Sequence, residues 1–230
     1  MKFLHLIVFK QFSLVIALVL LALPLTATAQ ASYEAFWAAI TRNDTRTIQN
    51  LQARGFDLNS LSPELQPPLH AAIALESWEV AQYLIEQPGV DLNARNPADE
   101  NPLMMAALKG RLDLAQALIA RKAHVNKPGW TPLHYAATHS GPNALALTRL
   151  MLESHAFIDA VSPNGTTALM MAAHYGVPSV VKLLLEEGAD PLMRNQQGLS
   201  AIDFAHRAGR QESADLIGAF VRGLQPRGTW

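Results

Sequence analysis

The side chains with the greatest chemical capacity in this chain are its eight histidines, two Met-Met pairs and one His-Ser neighbour pair, and there is no cysteine. His70 and His134 each follow Pro-Leu, whereas His139 and His174 each come just after an Ala-Ala pair. Gathered histidines could ligate zinc. Met104-Met105 and Met170-Met171 could ligate a soft metal or haem. His139-Ser140 could be a base beside a nucleophile. The lack of cysteine excludes disulfides, thiolate metal sites, a cysteine nucleophile and a lipoprotein anchor.

What these residues can do depends on the elements that hold them, and those elements repeat. Pro67-Pro-Leu-His-Ala-Ala72, Asn101-Pro-Leu-Met-Met-Ala-Ala107, Thr131-Pro-Leu-His-Tyr-Ala-Ala137, Thr167-Ala-Leu-Met-Met-Ala-Ala173 and Ser200-Ala-Ile-Asp-Phe-Ala205 begin 34, 30, 36 and 33 residues apart. A second motif recurs in phase: Gly55-Phe-Asp-Leu-Asn59, Gly89-Val-Asp-Leu-Asn93, Lys122-Ala-His-Val-Asn126, His155-Ala-Phe-Ile-Asp159 and Gly188-Ala-Asp-Pro-Leu192. Thr131 and Thr167 are placed to cap a helix by accepting a first-turn N–H. Pro102 and Pro132 then fall at the first helical position, where no N–H is needed. The Ala-Ala pairs keep one helix face small, so that the next repeat can approach. Gly110, Gly141, Gly176 and Gly209 are expected to end that helix in a left-handed turn. An amphipathic second helix follows, as in Val180–Glu187, closed by Gly188 and an extended finger.

This pattern resembles the ankyrin-repeat family, and Thr131–Ala137 matches its Thr-Pro-Leu-His-x-Ala-Ala signature fully. The resemblance implies an all-α solenoid of helix-turn-helix repeats with β-hairpin-like fingers. The modules read as a first cap at 33–63, repeats at 64–97, 98–127, 128–163 and 164–196, and a last cap at 197–226, leaving a tail at 227–230. One repeat departs from its neighbours. Its finger spans 5 positions from Asn126 to Thr131, against 8 from Asn93 to Asn101. It also carries three extra residues around Thr138–Asn143, since Thr131 to Ala156 is 25 positions and Thr167 to Ala189 is 22. In the family, partners dock on the finger tips and on the two residues after Ala-Ala. Here that implies a protein-binding row of Lys109, His139, His174, Tyr175, Glu100, Trp130, Thr166 and Arg194, with Trp130 as leading anchor. Aromatic and arginine side chains are the usual anchors of interfaces.

Within such a stack the chemical readings weaken. His70 and His134 sit in the signature, where the family uses His to bond the helix cap and the neighbouring backbone. His139 and His174 fall in adjacent repeats about 10 Å apart, too far for one zinc with Zn–N of about 2 Å. The first Met of each pair replaces the signature His and the second packs between helices. Neither a Gly-x-Ser-x-Gly elbow, a phosphate loop nor a His-Glu-x-x-His motif occurs. The expectation is a non-catalytic protein with neither cofactor nor metal, and a monomer.

Residues 1–29 read as an address. Lys2 and Lys10 precede the uncharged run Phe12–Leu23, Pro24 breaks it, and Ala27-Thr28-Ala29 offers a small-x-small cleavage site. The run is shorter than the ~20 residues that span a bilayer. A cleaved signal peptide and a periplasmic product, off the membrane after cleavage, are expected. Residues 30–230 then carry 16 basic and 19 acidic side chains, a net charge of −3, which gives no basic stripe for nucleic acid. In architecture the chain is similar to exported bacterial ankyrin proteins that accompany catalases and support oxidative-stress resistance. An immunity or inhibitor protein against a toxin is the alternative reading of the same features, and a haem or metal carrier is a third.

Overall fold

The computed structural model describes residues 28–224. Most of the expected signal peptide and the expected tail at 227–230 lie outside the described residues. Helix α1 covers 28–41, and α2 covers Thr45–Ala53. Four pairs follow: α3 (Pro68–Ala74) with α4 (Trp78–Glu86), α5 (Pro102–Leu108) with α6 (Leu112–Ala120), α7 (Pro132–Thr138) with α8 (Ala144–Glu153), and α9 (Ala168–Tyr175) with α10 (Pro178–Glu186). Helices α11 (Ala201–Arg207) and α12 (Gln211–Leu224) close the stack. First helices touch first helices from α3 to α11, and second helices touch second helices from α2 to α12, so the fold is two layers of stacked helices. No strand occurs among the described residues, and the fingers are turns.

Each start signal acts as its residue type dictates. Asn101 Oδ1 accepts the Met104 N–H at 2.9 Å, and Thr167 Oγ1 accepts that of Met170 at 3.3 Å. Pro68, Pro102 and Pro132 begin their helices, where a missing N–H costs nothing. Ala72, Ala106, Ala107, Ala136, Ala137, Ala172 and Ala173 are fully buried, which brings neighbouring first helices close. Met104 and Met170 are buried too, and Met170 Sδ accepts the Thr167 N–H at 3.4 Å, in the place of a ring nitrogen. On the second layer Leu184 is fully buried in a single apolar core that runs from Phe36 to Ile217.

The second motif ties one finger to the next. Asn59 donates to the Gly89 carbonyl and accepts the Asp91 N–H, each at 2.8 Å. Asn126 repeats the pair on His155 and Phe157, again at 2.8 Å each. Asn93 accepts the His124 N–H at 2.7 Å, and Asp159 accepts the Asp190 N–H at 3.1 Å. An amide can donate and accept in this position, whereas the Asp159 carboxylate can only accept.

Two of the four expected left-handed glycines are not left-handed. Gly110 and Gly209 have φ of +70° and +66°, but Gly176 has φ −76°. A Cβ on Gly176 would lie 2.4 Å from the Ala137 carbonyl oxygen, so Gly176 is required by close approach of two backbones. Gly141 likewise lacks positive φ; a Cβ there would meet the His139 ring at 2.6 Å.

Candidate functional site

The first helices α5, α7 and α9 present their exposed residues to the same side as the fingers. A cavity of about 440 Å³ opens there, spanning three repeats. Trp130 from the short finger forms one wall, with Leu108 from α5, Tyr135 and Thr138 from α7, and Met171 and Tyr175 from α9. His134 lies at its base, fully buried, with the Trp130 ring edge-on at 5.3 Å. The short finger positions Trp130: Gly129 turns the chain at φ +76°, and Lys127 Nζ donates to the Trp130 carbonyl at 3.0 Å and pairs with Asp99 at 2.6 Å.

The polar groups of this lining are engaged within the protein. His134 Nδ1 accepts the Thr131 N–H at 3.2 Å and Nε2 meets the Thr166 carbonyl at 2.9 Å. Tyr135 donates to Glu100 Oε1 at 2.6 Å, and Thr138 donates to the Tyr135 carbonyl at 2.6 Å. Burial, with Glu100 alongside, pushes the Tyr135 phenol well above its ordinary value. Burial pushes His134 down. Both shifts favour the neutral form, so the cavity is walled by uncharged, mostly apolar surface.

The expected docking residues fall into two groups. Trp130 and Tyr175 line the cavity, with Tyr175 half exposed. Arg194 reaches into solvent beside the last finger, donating to the Gly198 carbonyl at 2.6 Å, with Asp203 3.7 Å away. Lys109, at the C-terminal end of α5, is paired with Glu76 at 2.9 Å. His174 packs between Tyr175 and Phe204 at ring distances of 4.2 and 6.0 Å.

Three of the expected docking residues are turned to contacts within the protein. Thr166 is buried, because its N–H turns inward to Ser162 Oγ at 3.0 Å and its carbonyl accepts from His134. Glu100 is no free finger tip: it accepts from Asn96 at 2.8 Å as well as Tyr135, and lies 3.6 Å from His70 Nε2. His139 turns its ring onto Gly110 and Gly141, and Asn143 donates to the Gly110 carbonyl at 2.9 Å. The three extra residues are therefore anchored to the preceding repeat by packing. Tyr135 and Met171 were not anticipated as lining residues. The signal lay in the variable position of the signature, occupied by Ala71, Met105, Tyr135, Met171 and Phe204 in turn.

Comparison with known proteins agrees with this architecture. Family models described as ankyrin repeats match residues 65–97, 88–159 and 141–220. "Ankyrin repeat and SAM domain-containing protein 6" of Rattus norvegicus is 30% identical over 138 residues, covering 60% of this chain and 12% of that protein. "Inversin" of Homo sapiens is 27% identical over 157 residues, covering 66% of this chain and 15% of that protein. The chain thus spans a small part of these relatives' length. Among solved structures, a chain in the complex of the predatory endopeptidase Bd0816 from Bdellovibrio bacteriovorus with immunity protein Bd3460 is similar at TM-score 0.69 and 26% identity, covering 80% of this chain and 97% of that one. The ankyrin repeat protein EF0377 is similar at TM-score 0.67 and 26% identity, covering 80% of this chain and 96% of that one.

Proposed function

The chain belongs to the ankyrin-repeat family, and from that premise we propose that it is an exported, non-catalytic scaffold that docks another protein on its finger side. The observation that carries this reading is the cavity at the centre of the stack. It spans three repeats, its walls are aromatic and apolar, and its polar groups are engaged internally. With both nitrogens of His134 bonded and the Tyr135 phenol held protonated, the site offers a surface for contact instead of a base for proton transfer. The test compares Trp130→Ala with Lys182→Ala, a change at an exposed position of α10. Trp130→Ala weakens partner binding with helicity intact, and Lys182→Ala does not. Equal affinities for the two variants overturn the reading.

Export rests on Lys2, Lys10, the apolar run Phe12–Leu23 and Ala27-Thr28-Ala29. Among the described residues, 28–31 are exposed and the first core residue is Phe36, so cleavage after Ala29 removes none of the described core. A bacterial periplasm is the proposed destination. N-terminal sequencing of the exported protein tests this: Gln30 or Ala31 at the terminus is expected, and retained Met1 overturns it.

Two partner classes follow from these features: a stress-response enzyme such as a catalase, for which the protein is an accessory, or an enzyme toxin that it holds in check. The likeness to a chain of the endopeptidase–immunity complex, over nearly the whole of that chain, favours the second.

A further inference from the structure

The central cavity also carries information about the chemistry of its occupant. Leu108, Trp130, Tyr135, Met171 and Tyr175 surround it with apolar faces. Tyr135 and Thr138 spend their hydroxyl protons on Glu100 and on the Tyr135 carbonyl, and His134 uses both ring nitrogens. A polar group entering the cavity would give up water and find few partners, which is costly, whereas an apolar ring gains at each wall. Trp130 is positioned by the Lys127 ammonium, which holds its backbone carbonyl, and by the His134 ring edge-on to its indole.

The rim is not electrically uniform. On the α5 side, Lys109 is matched by Glu76 and Lys127 by Asp99, and Glu100 adds a carboxylate 2.6 Å from the Tyr135 hydroxyl. On the α11 side Arg194, Arg207 and Arg210 outnumber the nearby acids Asp203 and Glu212. Asp203 lies 3.7 Å from Arg194 and is also held below the ordinary carboxylate range, by its bonds to Ser200 first and then by Arg194 and Arg207. Arg207 and Arg210 are exposed and make no ion pair within 4.0 Å among the described residues. Arg210 donates to the Tyr175 carbonyl at 3.2 Å, which sets a guanidinium next to a residue of the cavity's lining. This cationic margin stands on a chain whose net charge is −1, so it is a local feature. Complementary potential across an interface selects partners and speeds encounter.

We infer that the cavity receives an aromatic side chain of the partner, carried on a protein segment whose neighbouring residues are Asp and Glu. The aromatic ring sits between Trp130, Tyr135 and Tyr175, and the carboxylates reach Arg207 and Arg210. This assignment rests on the protein-docking reading above.

The test uses the exported chain, ¹⁵N-labelled, and three probes: acetyl-Asp-Glu-Phe-Glu-Asp-amide, the same peptide with Ala for Phe, and acetyl-Lys-Lys-Phe-Lys-Lys-amide. The Trp130 indole N–H resonance, assigned with Trp130→Phe, reports occupancy. The acidic Phe peptide is expected to shift it at millimolar concentration, with the other two at least about tenfold weaker. Arg207→Glu with Arg210→Glu, both on exposed positions, is expected to weaken the acidic Phe peptide by about tenfold while leaving the far-ultraviolet spectrum unchanged. No shift at Trp130, equal binding of the Ala peptide, equal or tighter binding of the Lys peptide, or free indole binding as tightly as the acidic Phe peptide would each overturn the inference. If it falls while Trp130→Ala still weakens partner binding, the docking reading stands with a different occupant. If Trp130→Ala leaves partner binding unchanged, the docking reading falls as well.

Discussion

His134 in one repeat and Thr166 in the next are joined by a 2.9 Å hydrogen bond from the imidazole Nε2 to the backbone carbonyl. The proton is on Nε2 because Nδ1 faces, and accepts, the Thr131 N–H. A second proton on Nδ1 would point at that donor, and burial disfavours the cation further.

Stability should therefore fall on acidification. The unfolded imidazole takes a proton near 6.5, and the folded one only at lower pH. The contribution of His134 is complete above 6.5 and is lost as pH falls towards the folded pKa, by at most about 1.4 kcal/mol per pH unit. His70, also pushed down by burial against the opposing pull of Glu100, acts in the same direction. Urea midpoints measured between about pH 7 and pH 5 are expected to decline. His134→Met copies the arrangement at Met170 and is expected to remove part of the slope. A slope unchanged in that variant would contradict the assignment.

At His70 the cap is Pro67, which has neither N–H nor hydroxyl, and Nδ1 is buried with no hydrogen-bond partner. A Thr hydroxyl can donate or accept and so serves either ring tautomer. Satisfying a buried polar atom is worth about 1–3 kcal/mol. Losing proline's restriction of the unfolded chain costs about 0.4–1 kcal/mol. Pro67→Thr is expected to stabilise the stack by about 1 kcal/mol, read as a raised denaturation midpoint. A lowered midpoint would show that the orphaned nitrogen costs little.

Gly176 makes a different demand. Its space is filled by the Ala137 carbonyl of the preceding repeat and by Ala172 backbone atoms, none of which can swing aside. Gly176→Ala is expected to destabilise by about 1–3 kcal/mol by forcing α7 and α9 apart. Gly188, with open space around it and φ +95°, should pay only the strain of its conformation, about 1 kcal/mol on changing to Ala. A smaller loss at Gly176 than at Gly188 would contradict the close-approach account.

These residues also mark what a sequence can disclose. The caps at Asn101, Thr131 and Thr167, the helix-starting prolines and the buried Ala-Ala pairs are local, and local chemistry is written in residue types at fixed spacing. Trp130 and Tyr175 followed from their places in the repeat. Thr166 and Glu100 did not, because finger position alone does not say whether a side chain turns outward. That is decided by partners distant in sequence: Ser162 and His134 for Thr166, Tyr135 and His70 for Glu100. The role of Gly176 is hidden for a related reason, since close approach to Ala137 is a property of two repeats together. The extra residues of the central repeat are likewise placed by a partner distant in sequence, with Asn143 donating to the Gly110 carbonyl and the His139 ring against Gly110.

The finger ladder gives a last prediction. Asn59 and Asn126 each make two bonds to the following finger, one given and one accepted. Asp159 holds the same position in its repeat but accepts only, from the Asp190 N–H at 3.1 Å. Burial, opposed by that bond and reinforced by the Asp190 charge, pushes the Asp159 carboxyl above its ordinary value. An acid whose folded pKa is raised imposes no penalty below the unfolded value and its full penalty above the folded one. Asp159→Asn removes the charge and supplies a donor aimed, by analogy with Asn126 and His155, at the Gly188 carbonyl. A net hydrogen bond is worth about 0.5–1.5 kcal/mol, so the variant should be stabilised by about that much at neutral pH. The gain should shrink in acid, where the wild-type carboxyl is protonated and can itself donate. Parallel thermal melts at about pH 7 and about pH 3.5 check both the sign and its pH dependence. A variant that melts no higher than the wild type at neutral pH would mean that the fourth rung of the ladder is already satisfied by water.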